Sequence, residues 1–190
     1  MAKGVKMRFG DYADPVVTLA EDVVNSYRHS VGVDDLSPAL LTSLARARGW
    51  SGADASDADV SAVRSLREPL RTVFETHSVF AANALVASSG LVPELVRHDG
   101  VPWHLHLTRP GVSLPAWVAG HAAFGLLAVI EQGGVSRLHR CSGPDCFAVF
   151  VDLSRNQSRV FCSPAVCGNR VHVKAHRARK GVSPRSRGSA

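Results

Sequence analysis

Residues 141–170 read CSGPDCFAVFVDLSRNQSRVFCSPAVCGNR and hold all four cysteines of the 190-residue chain. The cysteines form two C-x4-C pairs, Cys141 with Cys146 and Cys162 with Cys167, with fifteen residues between the pairs. Each pair can supply two thiolates from one tight turn, and two such turns supply the ligands of a tetrahedral zinc site. Four thiolates leave no coordination position for a reactive water, so we expect one structural Zn²⁺.

Other thiol chemistry fits the same spacing. Four cysteines allow three disulfide connectivities, and an iron–sulfur cluster or a redox pair also uses close thiols. The charged start, Met1 to Lys6, is followed by no apolar run or cleavage site typical of an export signal. We therefore expect a reducing compartment, where paired thiols are more often metal ligands.

The residues around the cysteines predict the shape of this module. We expect a lead-in strand at 138–141, a hairpin of 147–151 with 158–161 across the polar turn 152–157, and a helix from Pro164 to about Arg179. Ser163 is suited to cap that helix, and Cys167 lies in its first turns. A cysteine turn, a hairpin and a helix that bears the last ligand form a treble-clef-like arrangement. A segment this small needs a bound metal ion to stay folded.

Positive charge is concentrated in the same part of the chain. From Arg137 to the end there are 11 Lys and Arg against two acidic residues, whereas residues 1–136 carry a net charge of −3. A basic end on a mildly acidic body favours contact with a polyanion, and a solubilising tail is the alternative. Residues 181–190, with Arg185 and Arg187 among Ser, Pro and Gly, are typical of a flexible basic tail.

On the predicted helix, Arg170, Lys174 and Arg177 are spaced so that they share one face. We expect Val166 and Val173, seven residues apart, to turn toward the phenylalanines of the hairpin. A row of cations on such a helix suits a major groove and its flanking phosphates. A solvated amphipathic helix is the alternative.

The segment from Leu138 to Lys180 closely resembles the CGNR zinc-finger family of bacterial proteins. It has the tetrapeptide Cys167-Gly168-Asn169-Arg170, the preceding Asp152-Leu153-Ser154-Arg155-Asn156, and both cysteine pairs. In that family the finger follows a mostly helical region called the ABATE domain, and members are described as stress-induced transcription regulators. The resemblance implies a zinc-dependent DNA-binding regulator.

Within the motif, Arg170 is our first candidate for nucleic-acid binding. The other candidates are Arg155, Arg159, Lys174, Arg177 and Arg179. Arg170 could instead donate to a cysteine sulfur, and Arg155 with Asn169 could brace the turn.

The first 136 residues predict a helical domain with one hairpin. Helices are expected to start at Pro15 after an Asp14 cap, at Pro38 after Ser37, near Asp57 with a split at Pro69, at Ser78, and at Pro115. Asp99-Gly100 predicts the hairpin between Leu95 and Leu107. The fold class is therefore mainly α with one β-hairpin (α+β), plus the small zinc module. The stretch Leu66-Arg67-x-x-Leu70-Arg71 and the final helix resemble the ABATE region more loosely.

Enzyme motifs are not found: the chain has no G-x-S-x-G, no P-loop, no H-E-x-x-H and no dinucleotide fingerprint. His104 and His106 alternate on a predicted strand and so share a face, which can build a metal site, although we expect an exposed or packed pair. We expect no catalytic residues and a chain that is not an enzyme.

These observations divide the chain into a helical domain at 1–136 that senses a ligand or dimerises, the finger at 137–180, and the tail at 181–190. We expect duplex DNA as a partner, with a small-molecule effector and a homodimer as further expectations. No apolar run reaches the roughly 20 residues that span a bilayer, so we expect a cytoplasmic protein, associated with the nucleoid when bound, and no membrane contact. An RNA-binding protein, or a small-molecule binder whose finger is structural or contacts proteins, are the alternatives.

Overall fold

Seven α-helices and three antiparallel strand pairs form the part of the chain that the computed structural model describes, residues 9–98, 100 and 102–179. The helices are α1 (Phe9–Asn25), α2 (Pro38–Arg46), α3 (Asp57–Arg64), α4 (Arg67–Thr76), α5 (Val79–Ser88), α6 (Leu114–Gly133) and α7 (Asn169–Arg179). The strand pairs are β1 (Tyr27–Arg28) with β2 (Val33–Asp34), β3 (Glu94–Val96) with β4 (His104–His106), and β5 (Leu138–Arg140) with β6 (Val149–Val151). The prediction of a mainly α chain is confirmed, with two strand pairs beyond the predicted hairpin β3–β4.

The core is built around α6, which packs on α1, α3 and α5. At Gly125 a Cβ atom would lie only 2.6 Å from the backbone oxygen of Val16, so glycine permits the close approach of α6 to α1. By length and composition α6 is apolar enough to cross a membrane. In this structure half of that span is buried, and Val118 and Leu126 lie in the protein core.

The first helix starts earlier than predicted. We expected Asp14 to cap a helix that starts at Pro15, but α1 begins at Phe9 and continues through Pro15. A proline inside a helix costs about 3 kcal/mol, because it removes the hydrogen bond to the carbonyl four residues earlier and crowds that carbonyl. The apolar face that follows, including Val17, Ala20 and Val24, is fully buried and holds the helix against the core.

The other helix boundaries follow local signals. Ser37 accepts from the backbone N–H of Leu40 at the start of α2. The predicted split near Pro69 is confirmed, since α3 ends at Arg64 and α4 begins at Arg67. Pro69 is the third residue of α4. A backbone N–H at this position has no acceptor within the helix, so proline loses no hydrogen bond there.

The hairpin of the cysteine module differs from the prediction. We expected 147–151 to pair with 158–161, but β6 pairs with β5, and 158–161 form no strand. The other edge of β6 is occupied by α1: Asn25 bonds both backbone groups of Val149, and a Glu21 carboxylate oxygen accepts from the N–H of Val151 at 2.8 Å. A returning strand has no free edge to join.

Candidate metal centre

The four cysteines converge at one point between β5, β6 and α7. One sulfur from each of Cys141, Cys146, Cys162 and Cys167 lies within 4.8 Å of all the others. The sulfur of Cys162 is 3.7 Å from those of Cys146 and Cys167. A disulfide would require about 2.05 Å. All four cysteines are free thiols, so the alternative of disulfides does not describe this structure.

This spacing fits tetrahedral zinc. With Zn–S bonds of about 2.3 Å, the ligand sulfurs of a tetrahedron lie about 3.8 Å apart. The two separations of 3.7 Å match that value closely. Among the residues that the structure describes, no imidazole or carboxylate belongs to the cluster, which makes an all-thiolate site closed to water.

Backbone amides support the first cysteine turn. The N–H groups of Gly143 and Cys162 both donate to the sulfur of Cys141, at 3.3 Å each. A Cβ atom at Gly143 would lie 3.1 Å from the Cβ and 3.3 Å from the sulfur of Cys167. The absence of a side chain at Gly143 therefore lets the first turn close over the last ligand.

The four sulfurs need a bound cation to be stable as thiolates. Burial raises the pKa of the Cys162 thiol far above its usual range, and the neighbouring sulfurs raise it further. Burial also raises the pKa of Cys167. Burial acts the same way on Cys141, but the amides of Cys162 and Gly143 outweigh it and hold the pKa of that thiol below its ordinary value. Four thiolates at this distance repel one another unless a metal ion compensates their charge. The site holds one structural Zn²⁺, as the sequence predicts.

A small aromatic cluster supports the cysteines. Phe150 is buried with Cys141 and Cys167, and Phe161 packs against them. His139 stacks on Phe150 with ring centroids 5.2 Å apart. A Cβ atom at Gly168 would lie 3.4 Å from the ring of Phe161, an ordinary van der Waals contact, so the start of the last helix lies close to the aromatic cluster.

The last two ligands lie on either side of the predicted cap: Cys162 precedes Ser163, and Cys167 lies in the turn that follows it. Ser163 caps the turn Pro164–Gly168 by accepting from the N–H of Val166, and α7 continues from Asn169 to Arg179. Asn169 donates to the carbonyl of Ala165 at 2.8 Å, so its amide braces the helix start. Because Cys167 is part of this turn, the metal ion fixes the position from which α7 projects.

The polar turn 152–157 is organised by Asp152. This carboxylate is fully buried and accepts from the N–H groups of Ser154 and Arg159, each at 2.8 Å. Burial would raise the pKa of Asp152, but these hydrogen bonds outweigh it and lower the pKa below the ordinary value. The sequence marked Asp152 only through its motif, and the structure shows it as the anchor of the turn.

The six candidate nucleic-acid residues lie in three settings. Arg159 is half-buried: its guanidinium donates to the carbonyl of Cys162 at 2.7 Å and lies over the Phe150 ring at 4.9 Å. Arg155 is exposed in the turn. The other four, all exposed on α7, are Arg170, Lys174, Arg177 and Arg179.

Two apolar residues of this segment are more exposed than predicted. Val166 and Val173 were expected to face the hairpin, but they are 50% and 47% exposed. Phe147, one of their expected partners, is 40% exposed and lies beneath the guanidinium of Arg140. The buried phenylalanines are already covered by the cysteine turns and by His139, so α7 projects from the module with no buried residue. Residues 180–190, including the expected basic tail at 181–190, lie outside the described residues.

The finger is joined to the helical region by side chains that sequence reasoning missed. Besides Glu21 and Asn25, Arg71 of α4 donates to the carbonyl of Phe147 at 2.9 Å. His77, which ends α4, donates to the carbonyl of Leu138 at 2.8 Å. Leu138 is itself buried in the core shared with α1 and α6. These partners are 61 or more residues apart, so no local pattern could have indicated them.

Two family models match the chain. Residues 18–131 match ABATE, described as "putative stress-induced transcription regulator", and residues 137–180 match the CGNR zinc finger. A comparison with curated proteins gave no match. Both matches agree with the resemblance found in the sequence, and the four-cysteine cluster lies within the second. The chain therefore belongs to the ABATE family and carries a CGNR zinc finger with one structural zinc ion.

Proposed function

We propose that this protein is a cytoplasmic transcription regulator that binds duplex DNA through its zinc finger, with no catalytic activity. The observation that carries the proposal is the surface of α7. This helix bears four exposed Lys and Arg side chains and two exposed histidines, His172 and His176, and contains no acidic residue. Among the described residues, none of its cations forms an ion pair with a carboxylate.

The geometry of α7 supports contact with DNA. The helix has eleven residues and is attached at one end to the metal centre, while its described length buries no side chain. Arg170, Lys174 and Arg177 lie along one face, where they can reach phosphates and base edges of a major groove together. The only carboxylates in the finger are Asp145 and the buried Asp152, so little negative charge opposes the approach of a polyanion.

A single finger offers few base contacts, so we propose that two chains bind one operator. Dimeric DNA-binding proteins place two recognition helices on half-sites about one helical turn apart. Sedimentation of the protein with a duplex of its preferred sequence tests this part, since a mass of two chains per duplex is expected and one chain per duplex contradicts it.

The helical domain is proposed to sense a ligand. It contains a cleft of about 970 Å³ whose lining includes Arg48, Trp50 and Trp117. The guanidinium of Arg48 also donates to Thr18 and Asp22 on α1, the helix whose neighbouring Glu21 and Asn25 hold β6 of the finger. A ligand that moves Arg48 therefore acts on the same helix that supports the finger.

Binding to a labelled duplex at increasing salt tests the proposal. The triple variant Arg170→Ala, Lys174→Ala, Arg177→Ala is compared with Arg46→Ala, Arg97→Ala, Arg109→Ala, which removes three exposed arginines from the helical domain. We expect only the first to lose affinity, and its salt dependence to fall by about 0.9 in log–log slope for each phosphate that the variant no longer neutralises.

Two further arms separate the alternatives. Removal of zinc by a chelator should abolish binding, because α7 loses the anchor at Cys167. Single-stranded RNA should compete poorly with duplex DNA, since sequence-tolerant binding of single strands uses exposed aromatic platforms and α7 has no Phe, Tyr or Trp. Equal loss of affinity in both triple variants, or stronger competition by RNA, would overturn the proposal of DNA binding by α7.

A further inference from the structure

A second group of possible metal ligands lies on the hairpin β3–β4, far in sequence from the cysteines. His104 and His106 are two residues apart on β4, so both point to the same side of the strand. Val96 of β3 pairs with His104, and His98 follows two residues after Val96. The hairpin thus brings a third histidine to the pair that the sequence marked as a possible metal site.

The three imidazoles are arranged around one point. Their ring centroids are separated by 4.9 Å, 5.0 Å and 5.0 Å, which makes a nearly equilateral triangle. The Nε2 atom of His106 lies 3.1 Å from Nε2 of His98 and 3.2 Å from Nε2 of His104. Two imidazole nitrogens bound to the same tetrahedral zinc ion, at about 2.05 Å each, lie about 3.3 Å apart.

The protonation of the three imidazoles fits a bound metal ion better than a set of hydrogen bonds among the rings. Nδ1 of His104 lies 2.9 Å from the carbonyl of Pro102 and donates its N–H to that oxygen, which leaves the Nε2 lone pair of the neutral ring directed at the cluster. Nε2 of His106 has two close nitrogen neighbours but at most one proton to donate. A cation accepts a lone pair from each of the three rings at once.

The donor set indicates the class of metal. Three neutral imidazoles, with no carboxylate from the described residues in the cluster, suit zinc, copper or nickel rather than magnesium or calcium. Three protein ligands also differ from the closed cysteine site, because a tetrahedral ion keeps a fourth position for water or for another ligand. All three histidines line the 970 Å³ cleft, so that position is accessible from it.

We propose that His98, His104 and His106 bind one divalent transition-metal ion at the cleft of the helical domain, in addition to the zinc ion of the finger. This site shares no ligand with the zinc site of the finger, and its occupancy can be measured without DNA. The metal ion, together with the water or small anion that completes its coordination, is a candidate ligand of the cleft.

Metal content measured on the full chain tests this proposal. Protein saturated with Zn²⁺ and freed of excess metal should contain two zinc ions per chain, and His106→Gln should contain one. His172→Gln, which changes an exposed histidine on α7, is the matched control and should keep two. A wild-type content of one, or a second zinc ion retained by His106→Gln, would overturn the proposal.

A spectroscopic readout guards against a variant that simply misfolds. With Co²⁺ in place of zinc, the cysteine site gives intense thiolate-to-cobalt charge-transfer bands, whereas an imidazole site gives only weaker ligand-field bands. Wild-type protein should fill both types of site, and His98→Gln or His104→Gln should lose only the imidazole bands while the thiolate bands report an intact finger. Thiolate bands alone in the wild type would contradict a histidine site.

Discussion

The side-chain amide of Asn25 pairs with the backbone of Val149 as a neighbouring β-strand would. Its Nδ2 donates to the Val149 carbonyl at 2.8 Å, and its Oδ1 accepts from the Val149 N–H at 2.9 Å. One helical turn earlier, Glu21 accepts from the N–H of Val151. Helix α1 therefore completes the free edge of β6, and the finger is continuous with the helical core through Leu138, Val149 and Val151.

Asn25→Ala should destabilise the whole protein and not only the helix. Val149 is fully buried, so the substitution leaves its N–H and carbonyl without partners away from water. Such a loss costs about 1–3 kcal/mol. Urea unfolding with excess zinc measures it, and Asn83→Ala on the exposed side of α5 is the control, with an expected change near zero. Equal stability of Asn25→Ala and the wild type would show that the edge of β6 needs no partner from α1.

Glu21 makes the same contact sensitive to pH. Burial raises the pKa of Glu21 from 4.5 to about 7, against the opposing effect of the Val151 hydrogen bond. Between these two values the folded chain retains a proton that the unfolded chain has released, so the stability contributed by this site falls as pH rises through that window. Above pH 7 the ionised carboxylate, which is largely shielded from water, opposes folding.

Glu21→Gln should remove this dependence, because an amide oxygen still accepts from Val151 but cannot ionise. Near pH 4.5 the variant and the wild type should have similar free energies of unfolding. Above pH 7 the variant should be more stable by up to about 3 kcal/mol, at about 1.4 kcal/mol per pKa unit. Urea titrations at several pH values with saturating zinc check this. A constant difference at all pH values would mean that Glu21 does not titrate in this range.

Gly143→Ala should weaken zinc binding. The added Cβ atom would meet the Cβ of Cys167 at 3.1 Å and its sulfur at 3.3 Å, so the first cysteine turn must move away from the last ligand. Gly168→Ala is the matched control, because its Cβ atom would make an ordinary contact of 3.4 Å with the Phe161 ring. Perturbing the support of a metal site costs about 10–100-fold in affinity. Competition with a chromophoric chelator should show that loss for Gly143→Ala and a smaller one for Gly168→Ala.

Local chemistry explains what the sequence could predict. The spacing of Cys141, Cys146, Cys162 and Cys167 places four ligands in two turns, each of which brings two thiols together. The caps at Ser37 and Ser163 and the break near Pro69 also depend only on neighbouring residues. These elements form as predicted because the deciding groups are close in the chain.

The wrong predictions concern partners that are distant in the chain. The pairing of 147–151 with 158–161 was favoured by proximity, but β5, Asn25 and Glu21 had already taken both edges of β6. Val166 and Val173 have the spacing of a buried face, yet the aromatic cluster that would receive them is filled by other groups. His98 gave no signal beside His104 and His106, since the turn of the hairpin separates it from them.

Arg159 and Arg170 should separate structure from DNA binding. Arg159 is held within the finger by the Cys162 carbonyl and the Phe150 ring, whereas Arg170 is exposed on α7. Arg159→Ala should therefore lower zinc affinity and the free energy of unfolding, by about 1–3 kcal/mol for removal of the charged hydrogen bond. Arg170→Ala should leave both quantities unchanged and weaken duplex binding by a similar factor on every sequence if it contacts phosphate, or chiefly on the preferred sequence if it contacts a base.

Measuring unfolding, zinc competition and duplex binding on the same two variants distinguishes these roles. Arg177→Ala, another exposed cation of α7, serves as the control that should behave like Arg170→Ala in the two stability assays. If Arg170→Ala lowers zinc affinity as Arg159→Ala does, the arginine that follows Cys167-Gly168-Asn169 supports the metal site, and the DNA contacts must come from the cations farther along α7.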